Sequence, residues 1–389
     1  MGRKTIMVYP TNVKLHSLYN PTLKILCKKY NLVYNPIESR EDKLLSSKIR
    51  KVYILRYLYH RFVRNFISFY KIKKYFSTPP IAENPDLILA INDFPPEDYD
   101  YILDLEKLTA LSGYDYDSLD RNYIEKRFAD RHCKAIIVWS DFVYNSLLKI
   151  LDCSNFKDKI KVVPFTIKSG HIKKNLNKKQ IRLLFVSSIN NPYDFELKGG
   201  IILLDAFSQL LKKHPNLKLF IRAKLSDSIK KKCNLLGEIN LIEDFLQDKQ
   251  MGELFENSDI LLEPLPGINL LLDCMEYSLP VVAFNYEFIP EMVEDSRGGF
   301  LVDCKSIFGD EKNIPHYLKN HYLNYLKLYK KSPENMIDEF ALKTNLLIEN
   351  PTLRKKMAIH LNSLVQDNGK YSLKKREKKL LGIIDKALQ

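Results

Sequence analysis

The sequence has no apolar run of the length that crosses a bilayer, and its cysteines form no C-x-x-C pair. The six cysteines are scattered over 389 residues, with no histidine doublet near any of them. This spacing predicts reduced thiols in a cytoplasmic protein and argues against a zinc site. The first residues, MGRKTIMVYPT, also lack the apolar core of a secretory signal peptide, so we expect none.

Acidic residues are missing from one long stretch of the chain. Residues 43–82 contain no Asp or Glu, although the chain has 47 of them. The same stretch carries ten Lys or Arg side chains, which account for most of the formal net charge of +14. A charge concentrated in this way predicts an anionic partner better than a uniformly basic surface does.

Within this stretch, residues 43–76 interleave basic and aromatic side chains. Apolar residues recur at helical spacing and would form one face, at Leu55, Leu58, Phe62, Phe66 and Phe69. Basic residues lie mostly off that face, at Arg56, Arg61, Arg64 and Lys71. The pattern favours an interfacial helix on the inner, anionic face of a membrane. Two alternatives stay open: nucleic acid as the anion, or a pair of domain helices whose basic face is solvated.

The length of the chain predicts two domains of near-equal size. Both halves alternate short apolar runs with helical segments, and the polar stretch 165–180 separates them. Such alternation is typical of parallel, doubly wound sheets. We therefore predict an α/β fold with two Rossmann-like domains facing a cleft, where a ligand meets the carboxyl ends of strands.

Capping residues predict where two helices of the first half begin. Ser140 stands before a periodic segment that runs to Leu151, as an N-cap does. Asn20 precedes Pro21, which predicts that a helix begins there and continues to Tyr30.

A strand, a polar loop and an amphipathic helix follow one another in FVSSINNPYDFELKGGIILLDAF, residues 185–207. Gly199 and Gly200 allow close backbone approach at the start of the helix, where free amides and the helix dipole favour an anion. Lys198 adds a mobile positive charge at the same place. The segment therefore predicts an anion site, and the alternative is an exposed lysine in an ordinary loop.

The segment PGINLLLDCMEYSLPVVAF, residues 266–284, places an acid between a turn and a buried strand. Gly267 begins the turn, and we expect the first amides of the following helix, at Ile268 and Asn269, to point towards a ligand. Asp273 stands where a carboxylate can accept hydrogen bonds from sugar hydroxyls. The alternative is a surface acid on a helix.

Together these segments resemble the retaining glycosyltransferases of family four, which have the GT-B architecture. The likeness runs in order through FELKGGIILLDAFSQLLKKHPNLKLFI, MGELFENSDILLEP, LLLDCMEYSLPVVAF and FIPEMVEDSRGGFLVD. In the first half, KRFADRHCKAIIVWSDFVYNSLLKIL and KIKVVPF are similar to family segments. The resemblance implies an acceptor-binding domain over 1–168, a nucleotide-sugar domain over 169–370, and a final helix, 371–389, that returns to the first domain.

The resemblance also implies roles for single residues. Lys198 would contact the diphosphate of the donor, and Ser188 stands where the family has an arginine. Asp273 would bind the ribose, as the second of two family glutamates. The first glutamate would fall near Leu265 or Pro266, so the nearby Glu263 is the candidate to replace it.

On the acceptor side, the polar candidates near strand ends are His16, Asp104 and Glu106, with ordinary loop positions as the alternative. The resemblance implies front-face attack, in which the departing diphosphate accepts the acceptor's proton, so a protein nucleophile is not required. Two D-Y-D matches, at 98–100 and 115–117, resemble a metal-binding pattern. Because such matches are expected by chance among 47 acids, we assign no metal.

The expected function is therefore metal-independent transfer of a hexose, with retention, from a UDP- or GDP-sugar to a lipid-linked or surface glycan. No cofactor is expected. Two alternatives stay open. In the first alternative, the acceptor is a soluble protein or a nucleic acid. In the second, the chain is an inactive GT-B protein that binds a glycan or a partner.

Overall fold

The computed structural model describes residues 2–9, 18–34, 84–112, 119–167, 180–191, 193–305 and 334–389. The basic-aromatic segment 43–76 and His16 lie outside these ranges. The chain divides into two compact units. Unit 1 consists of Met1–Phe165 with Arg376–Gln389, and unit 2 of Thr166–Lys375.

Unit 1 is built on a parallel sheet. Its strands are β1 (Thr5–Tyr9), β2 (Asn31–Tyr34), β3 (Leu87–Ile91), β4 (Tyr101–Leu105), β5 (Cys133–Val138) and β6 (Ile160–Val162). Its helices are α1 (Tyr19–Lys29), α2 (Arg121–Ala129) and α3 (Asp141–Ile150), with short 3-10 turns at Leu108–Ser112 and Lys157–Lys159. The strand order is β2-β1-β3-β4-β5-β6. β3 and β4 are buried along their whole length, as expected for a parallel sheet covered on both faces.

The two predicted helix starts have different outcomes. Ser140 caps α3 as predicted, since its hydroxyl accepts a first-turn amide hydrogen bond at 3.2 Å. In contrast, α1 begins at Tyr19, so the prediction that Asn20 is the N-cap is wrong. The Tyr19 ring is buried, with its centroid 6.0 Å from that of Trp139 and 5.3 Å from that of Phe165. Aromatic packing thus outweighs the local capping preference.

Unit 2 is built on a second parallel sheet. Its strands are β7 (Arg182–Val186), β8 (Lys218–Arg222), β9 (Ile239–Ile242), β10 (Ile260–Leu262), β11 (Val281–Phe284) and β12 (Gly299–Val302). The helices that follow α3 are α4 (Asp194–Leu197), α5 (Gly200–Lys213), α6 (Asp227–Leu236), α7 (Asp248–Asn257), α8 (Ile268–Glu276), α9 (Ile289–Val293), α10 (Glu334–Glu349), α11 (Pro351–Ser363) and α12 (Leu373–Ala387). The strand order is β12-β11-β10-β7-β8-β9.

The predicted α/β class with two doubly wound parallel sheets is confirmed. In unit 2 the chain moves outward from β7 to β9 and then continues on the other side of β7, at β10. The strand order therefore reverses between β7 and β10. Among the described residues, no helix combines the length and the apolar character needed to cross a membrane.

The last helix, α12, packs in unit 1 from Arg376 onwards. The Arg376 side chain is buried and donates hydrogen bonds to Thr22 Oγ1 at 2.8 Å and to the carbonyls of Val163 and Pro164 at 3.0 and 2.7 Å. Its guanidinium also lies 4.3 Å from the centroid of the Phe165 ring. One buried cation thus joins the end of the chain to α1 and to the segment after β6.

Candidate functional site

Parallel sheets of this kind bind ligands outside the carboxyl ends of their strands, where the strand order reverses. In unit 2 that place lies between β7 and β10, which are neighbours in the sheet. Polar side chains gather there from the segments that follow β7 and β10 and from the end of β8. We name four of them the switch-point site: Ser187, Lys198, Arg222 and Glu263.

An ion pair between Lys198 and Glu263 lies within the switch-point site. Lys198 Nζ donates to Glu263 Oε1 at 3.0 Å, and the amide of Val186 donates to Oε2 at 3.2 Å. Burial raises the pKa of Glu263 to about 7, although the charge of Lys198 opposes this shift. Burial also acts to lower the pKa of Lys198, but the charges of Glu263 and Asp194 outweigh it and raise that pKa. The lysine therefore keeps its positive charge at neutral pH.

The arrangement corrects the prediction that Glu263 contacts the donor itself. Its side chain is 0% exposed, and both of its oxygens accept hydrogen bonds within unit 2. Lys198 is 25% exposed and is the member of the pair that a ligand can reach. Glu263 is therefore a positioning residue that holds the Lys198 ammonium at the end of β10.

The two glycines after Lys198 meet demands of backbone geometry and packing. Gly199 is the N-cap of α5 and has a φ angle of 91°, in the left-handed region that other residues rarely adopt. A Cβ atom on Gly200 would lie 2.3 Å from the buried Phe195 ring, which packs against Phe185. These glycines shape the turn that presents Lys198. The expectation that their backbone also approaches a ligand stays a prediction.

The loop between β10 and α8 runs beside the same turn. The amide of Leu265 donates a hydrogen bond to the carbonyl of Lys198 at 3.3 Å. Gly267 is the N-cap of α8 and, as a glycine, supplies no side chain to cap this end of the helix. The first two helical residues are Ile268 and Asn269, as predicted for a turn followed by a helix. The positive end of the α8 dipole therefore follows directly on the loop that contacts Lys198.

Asp273 lies in the second turn of α8, and its carboxyl forms no ion pair with any described residue. Burial raises the pKa of Asp273 to about 7, and the negative charges of Glu276 and Asp248 add to the shift. The carboxyl is thus partly protonated at neutral pH and can both donate and accept hydrogen bonds. A simple surface acid would keep an ordinary pKa, so this environment disfavours that alternative for Asp273.

Replacing Asp273 with asparagine is expected to raise the Tm of the protein above neutral pH. In the unfolded chain this carboxyl ionises near pH 4, whereas in the fold it stays protonated up to about pH 7. Folding therefore loses stability as the pH rises through this range, and the amide removes that loss. We expect the Tm of the variant to exceed the wild-type value by about 2–4 °C at pH 8 and to equal it near pH 4.

Differential scanning calorimetry at both pH values measures this difference. Glu253→Gln is the control, because Glu253 is an exposed acid on α7. It should shift the Tm by less than about 2 °C at either pH. A variant Asp273→Asn that melts below the wild type at pH 8 would show that the carboxylate stabilises the fold, contrary to the raised pKa.

Two polar atoms of the switch-point site are buried without a hydrogen-bond partner among the described residues: Ser187 Oγ and Arg222 Nε. Arg222 is the last residue of β8, and its Nη1 donates to the carbonyl of Ser187 at 2.9 Å. Burial lowers the pKa of Arg222, and the charge of Arg222 acts to lower the pKa of Lys198. The two cations therefore lie within electrostatic range of each other.

Arg222 and Ser187 are not among the site residues predicted from the sequence. The sequence does carry a signal for Arg222, since it directly follows the predicted strand LKLFI, residues 217–221, and therefore stands at the end of that strand. Ser188, which the sequence predicted to be a donor-binding residue, forms hydrogen bonds within the loop after β7. Its amide donates to Asp194 Oδ2 at 2.9 Å, and its hydroxyl accepts from the amide of Asn190 at 3.1 Å.

Asp104 lies inside unit 1, which corrects the prediction of a catalytic role for it. It belongs to β4 and is 0% exposed. Its Oδ1 accepts hydrogen bonds from Trp139 Nε1 at 2.5 Å and from the Tyr19 hydroxyl at 3.5 Å, and Arg376 Nη2 lies 3.9 Å from its Oδ2. Burial raises the pKa of Asp104, and the charge of Arg376 opposes the shift. This acid is a structural group of the unit 1 core.

The other acceptor-side candidates stay predictions. Glu106 follows β4, is half-buried, and its amide donates to Asn92 Oδ1 at 2.8 Å. Outside the described residues lie His16 and the basic residues Arg56, Arg61, Arg64 and Lys71.

The first D-Y-D match carries ion pairs of its own. Asp100 pairs with His132 at 2.7 Å and with Lys134 at 3.1 Å, which leaves this acid engaged within unit 1. The second match, at 115–117, is not among the described residues. In the part of the chain that the structure describes, no group of three or more His, Cys, Asp or Glu could hold a metal ion.

Comparison with known families assigns the segment that contains this site. Residues 180–311 match the family described as Glycosyl transferases group 1. The matched range includes the whole switch-point site and α8. No curated protein sequence matches the chain.

Solved structures share the fold over nearly the whole chain. HepE from Anabaena, in complex with UDP, is similar with a TM-score of 0.58 and 13% identity, over 98% of this chain and 99% of HepE. WaaG, a glycosyltransferase involved in lipopolysaccharide biosynthesis, is similar with a TM-score of 0.53 and 15% identity, over 98% of this chain and 99% of WaaG.

One similar protein is considerably longer. TarM from S. aureus is similar with a TM-score of 0.51 and 15% identity, over 77% of this chain. The chain spans 55% of the length of TarM. At identities this low, structural similarity establishes the fold alone. The family match gives the family of the segment that contains the switch-point site. Residues 180–311 thus form a group 1 glycosyltransferase domain, within a chain that has the GT-B fold.

Proposed function

We propose that this chain transfers a sugar from a nucleoside diphosphate sugar to a glycan acceptor, with retention of configuration at the transferred carbon. The observation that carries the proposal is the Lys198–Glu263 pair, which lies where the strand order of unit 2 reverses. A lysine held there by a buried acid, beside the loop that leads into the N-terminus of α8, offers positive charge to a diphosphate.

The proposed donor carries UDP, with GDP as the alternative. HepE, which has the same fold, was solved in complex with UDP. Asp273 is proposed to contact the ribose, because its half-protonated carboxyl on α8 can exchange hydrogen bonds with hydroxyl groups.

The proposed chemistry places its largest demand on the leaving group. The bond between the anomeric carbon and the diphosphate oxygen breaks, and the hydroxyl oxygen of the acceptor forms the new bond. Negative charge then builds up on the departing diphosphate, where the Lys198 ammonium and the first amides of α8 stabilise it. The departing diphosphate accepts the proton of the acceptor hydroxyl, so this scheme uses no protein nucleophile, metal or cofactor.

The proposed acceptor is a lipid-linked or surface glycan at the inner face of a membrane. The basic-aromatic pattern of residues 43–76 supports this choice, and the similar protein WaaG takes part in lipopolysaccharide biosynthesis. Arg56, Arg61, Arg64 and Lys71 would then contact anionic lipid. A soluble protein or a nucleic acid is the alternative acceptor.

Isothermal titration calorimetry on the full chain tests the donor half of this proposal. UDP, GDP and UDP-glucose are titrated separately in the presence of EDTA, with uridine as the ligand that lacks phosphate. We expect one nucleoside diphosphate to bind with a Kd between about 1 µM and 1 mM, the usual range for enzyme substrates. Failure of all three to bind would contradict the proposal, and glycan binding without nucleotide binding would favour the inactive GT-B alternative.

A further inference from the structure

Lys198 alone supplies little net charge to a diphosphate, because the acid Glu263 pairs with it at 3.0 Å. A nucleoside diphosphate brings several negative charges to its site. The family that this chain resembles has an arginine as a second cation at the place of Ser188, whereas this chain has the uncharged serine there. A second positive charge must therefore come from another position if the donor is to be neutralised.

Arg222 differs from the neighbouring cations in having no acid partner. Lys198 pairs with Glu263, and Lys224 lies 3.8 Å from Glu243. Arg222 forms no ion pair with any described residue, and its Nε is buried without a hydrogen-bond acceptor. A buried guanidinium nitrogen without a hydrogen-bond acceptor is costly, so an anion would complete this arrangement.

Ser187 adds a second incomplete group beside Arg222. Its side chain is 4% exposed, and its Oγ has no hydrogen-bond partner among the residues that the structure describes. The backbones of the two residues are joined, since the Ser187 amide donates to the Arg222 carbonyl at 2.8 Å. The two residues therefore lie side by side at the carboxyl ends of the neighbouring strands β7 and β8.

The sheet order places these two residues opposite Lys198. β10, β7 and β8 are consecutive strands, with Glu263 directly after β10 and Arg222 at the end of β8. Neighbouring strands lie about 4.8 Å apart, so these two ends are about 10 Å apart, with the end of β7 between them. Phosphate oxygens placed over β7 would have Lys198 on one side and Arg222 on the other.

We propose that Arg222, together with the hydroxyl of Ser187, forms the second half of the diphosphate site, in place of the cation that is missing at position 188. The inference rests on the proposed function. Arg222 donates to phosphate oxygens through Nε and one Nη, the paired geometry that guanidinium groups offer to phosphate. Ser187 Oγ donates to the same phosphate group.

The test compares nucleoside and nucleoside diphosphate binding to the full chain. Kd values for UDP, GDP, inorganic pyrophosphate and uridine are measured by isothermal titration calorimetry for the wild type and for Arg222→Gln. We expect the variant to bind the preferred diphosphate and pyrophosphate about 10–100-fold more weakly, as loss of one charge-assisted hydrogen bond predicts. Uridine binding should be unchanged. Equal diphosphate affinity in the two proteins overturns the inference.

Arg182→Gln is the matched control, because Arg182 begins β7 at the opposite edge of the same sheet. It removes the same charge and should change the diphosphate Kd by less than about twofold. An equal loss in Arg182→Gln would show a general charge effect and would also overturn the inference. A wild type that binds none of the ligands contradicts the proposed function itself, which separates the two failures.

A measurement on the wild type covers the case in which Arg222→Gln does not fold. Phenylglyoxal modifies accessible arginines, and mass spectrometry of peptides reports the extent at Arg222 and at Arg182. Saturating UDP should lower the extent of phenylglyoxal modification at Arg222 at least about fivefold, as expected when a phosphate covers a guanidinium group. Arg182 should not be protected. Equal modification of Arg222 with and without bound UDP overturns the inference.

Discussion

An Arg376→Ala variant is expected to lose about 3–5 kcal/mol of the free energy of unfolding of unit 1, the usual result of removing one member of a buried ion pair. Arg376 is 2% exposed and lies 3.9 Å from the Asp104 carboxylate, which is 0% exposed. Without the guanidinium, Asp104 is left as a buried acid that forms no ion pair with any other described residue. Thr22 and the carbonyls after β6 lose their donors as well.

The single tryptophan of the chain makes this loss measurable in unit 1. Trp139 Nε1 donates to Asp104, and the Trp139 ring lies 4.1 Å from the Phe165 ring between centroids. Its fluorescence during urea unfolding therefore reports the cluster that Arg376 completes. We expect the transition midpoint to fall, whereas the control Lys378→Ala, an exposed position on the same helix, should stay within about 0.5 kcal/mol of the wild type.

A double-mutant cycle with Asp104→Asn separates the ion pair from the hydrogen bonds of Arg376. We expect Arg376→Ala to cost about 1–3 kcal/mol less in the Asp104→Asn background, because the uncompensated charge is then absent. Identical costs in both backgrounds would mean that Asp104 and Arg376 do not interact in the fold.

A Lys198→Met variant is expected to bind the donor nucleotide about 10–100-fold more weakly than the wild type. The ammonium is the reachable member of the Lys198–Glu263 pair, and a charge-assisted hydrogen bond to phosphate contributes about 1.5–3 kcal/mol. Met keeps most of the unbranched, apolar part of the side chain and removes the ammonium group with its charge and its hydrogen-bond donors. Isothermal titration with UDP and GDP measures the change, and an unaltered Kd would exclude Lys198 from the diphosphate site.

Glu263→Gln tests the positioning role of the acid behind Lys198. The amide has one oxygen where the carboxylate has two, so in this geometry it accepts from the Val186 amide or from Lys198 but not from both, and it no longer holds the ammonium by charge. We expect a loss of nucleotide affinity of about tenfold or less, smaller than the loss in Lys198→Met. Lys224→Met is the control for both variants, since Lys224 is exposed and pairs with Glu243, and its Kd should stay within about twofold.

Much of the fold could be predicted from local patterns. Strands buried on both faces are nearly continuous apolar runs, so LILAI and VVAF predicted β3 and β11 without any knowledge of their neighbours. The K-G-G turn predicted the start of α5, because Gly199 adopts a backbone conformation that other residues avoid. Capping chemistry is equally local, and Ser140 therefore predicted the start of α3.

Side-chain direction and long-range pairing could not be predicted in this way. The run YILDL shows a strand but does not show that Asp104 points into a core closed by Arg376 from the far end of the chain. Glu263 pairs with Lys198 across 65 residues, and Arg222 reaches the Ser187 carbonyl across 35. These contacts depend on the strand order β10-β7-β8, which side-chain periodicity does not encode. Local pattern was therefore sufficient to predict most of the elements and to select Lys198 as a candidate, whereas the partners of Lys198 and the position of the half-buried Arg222 side chain depend on how the sheet is assembled.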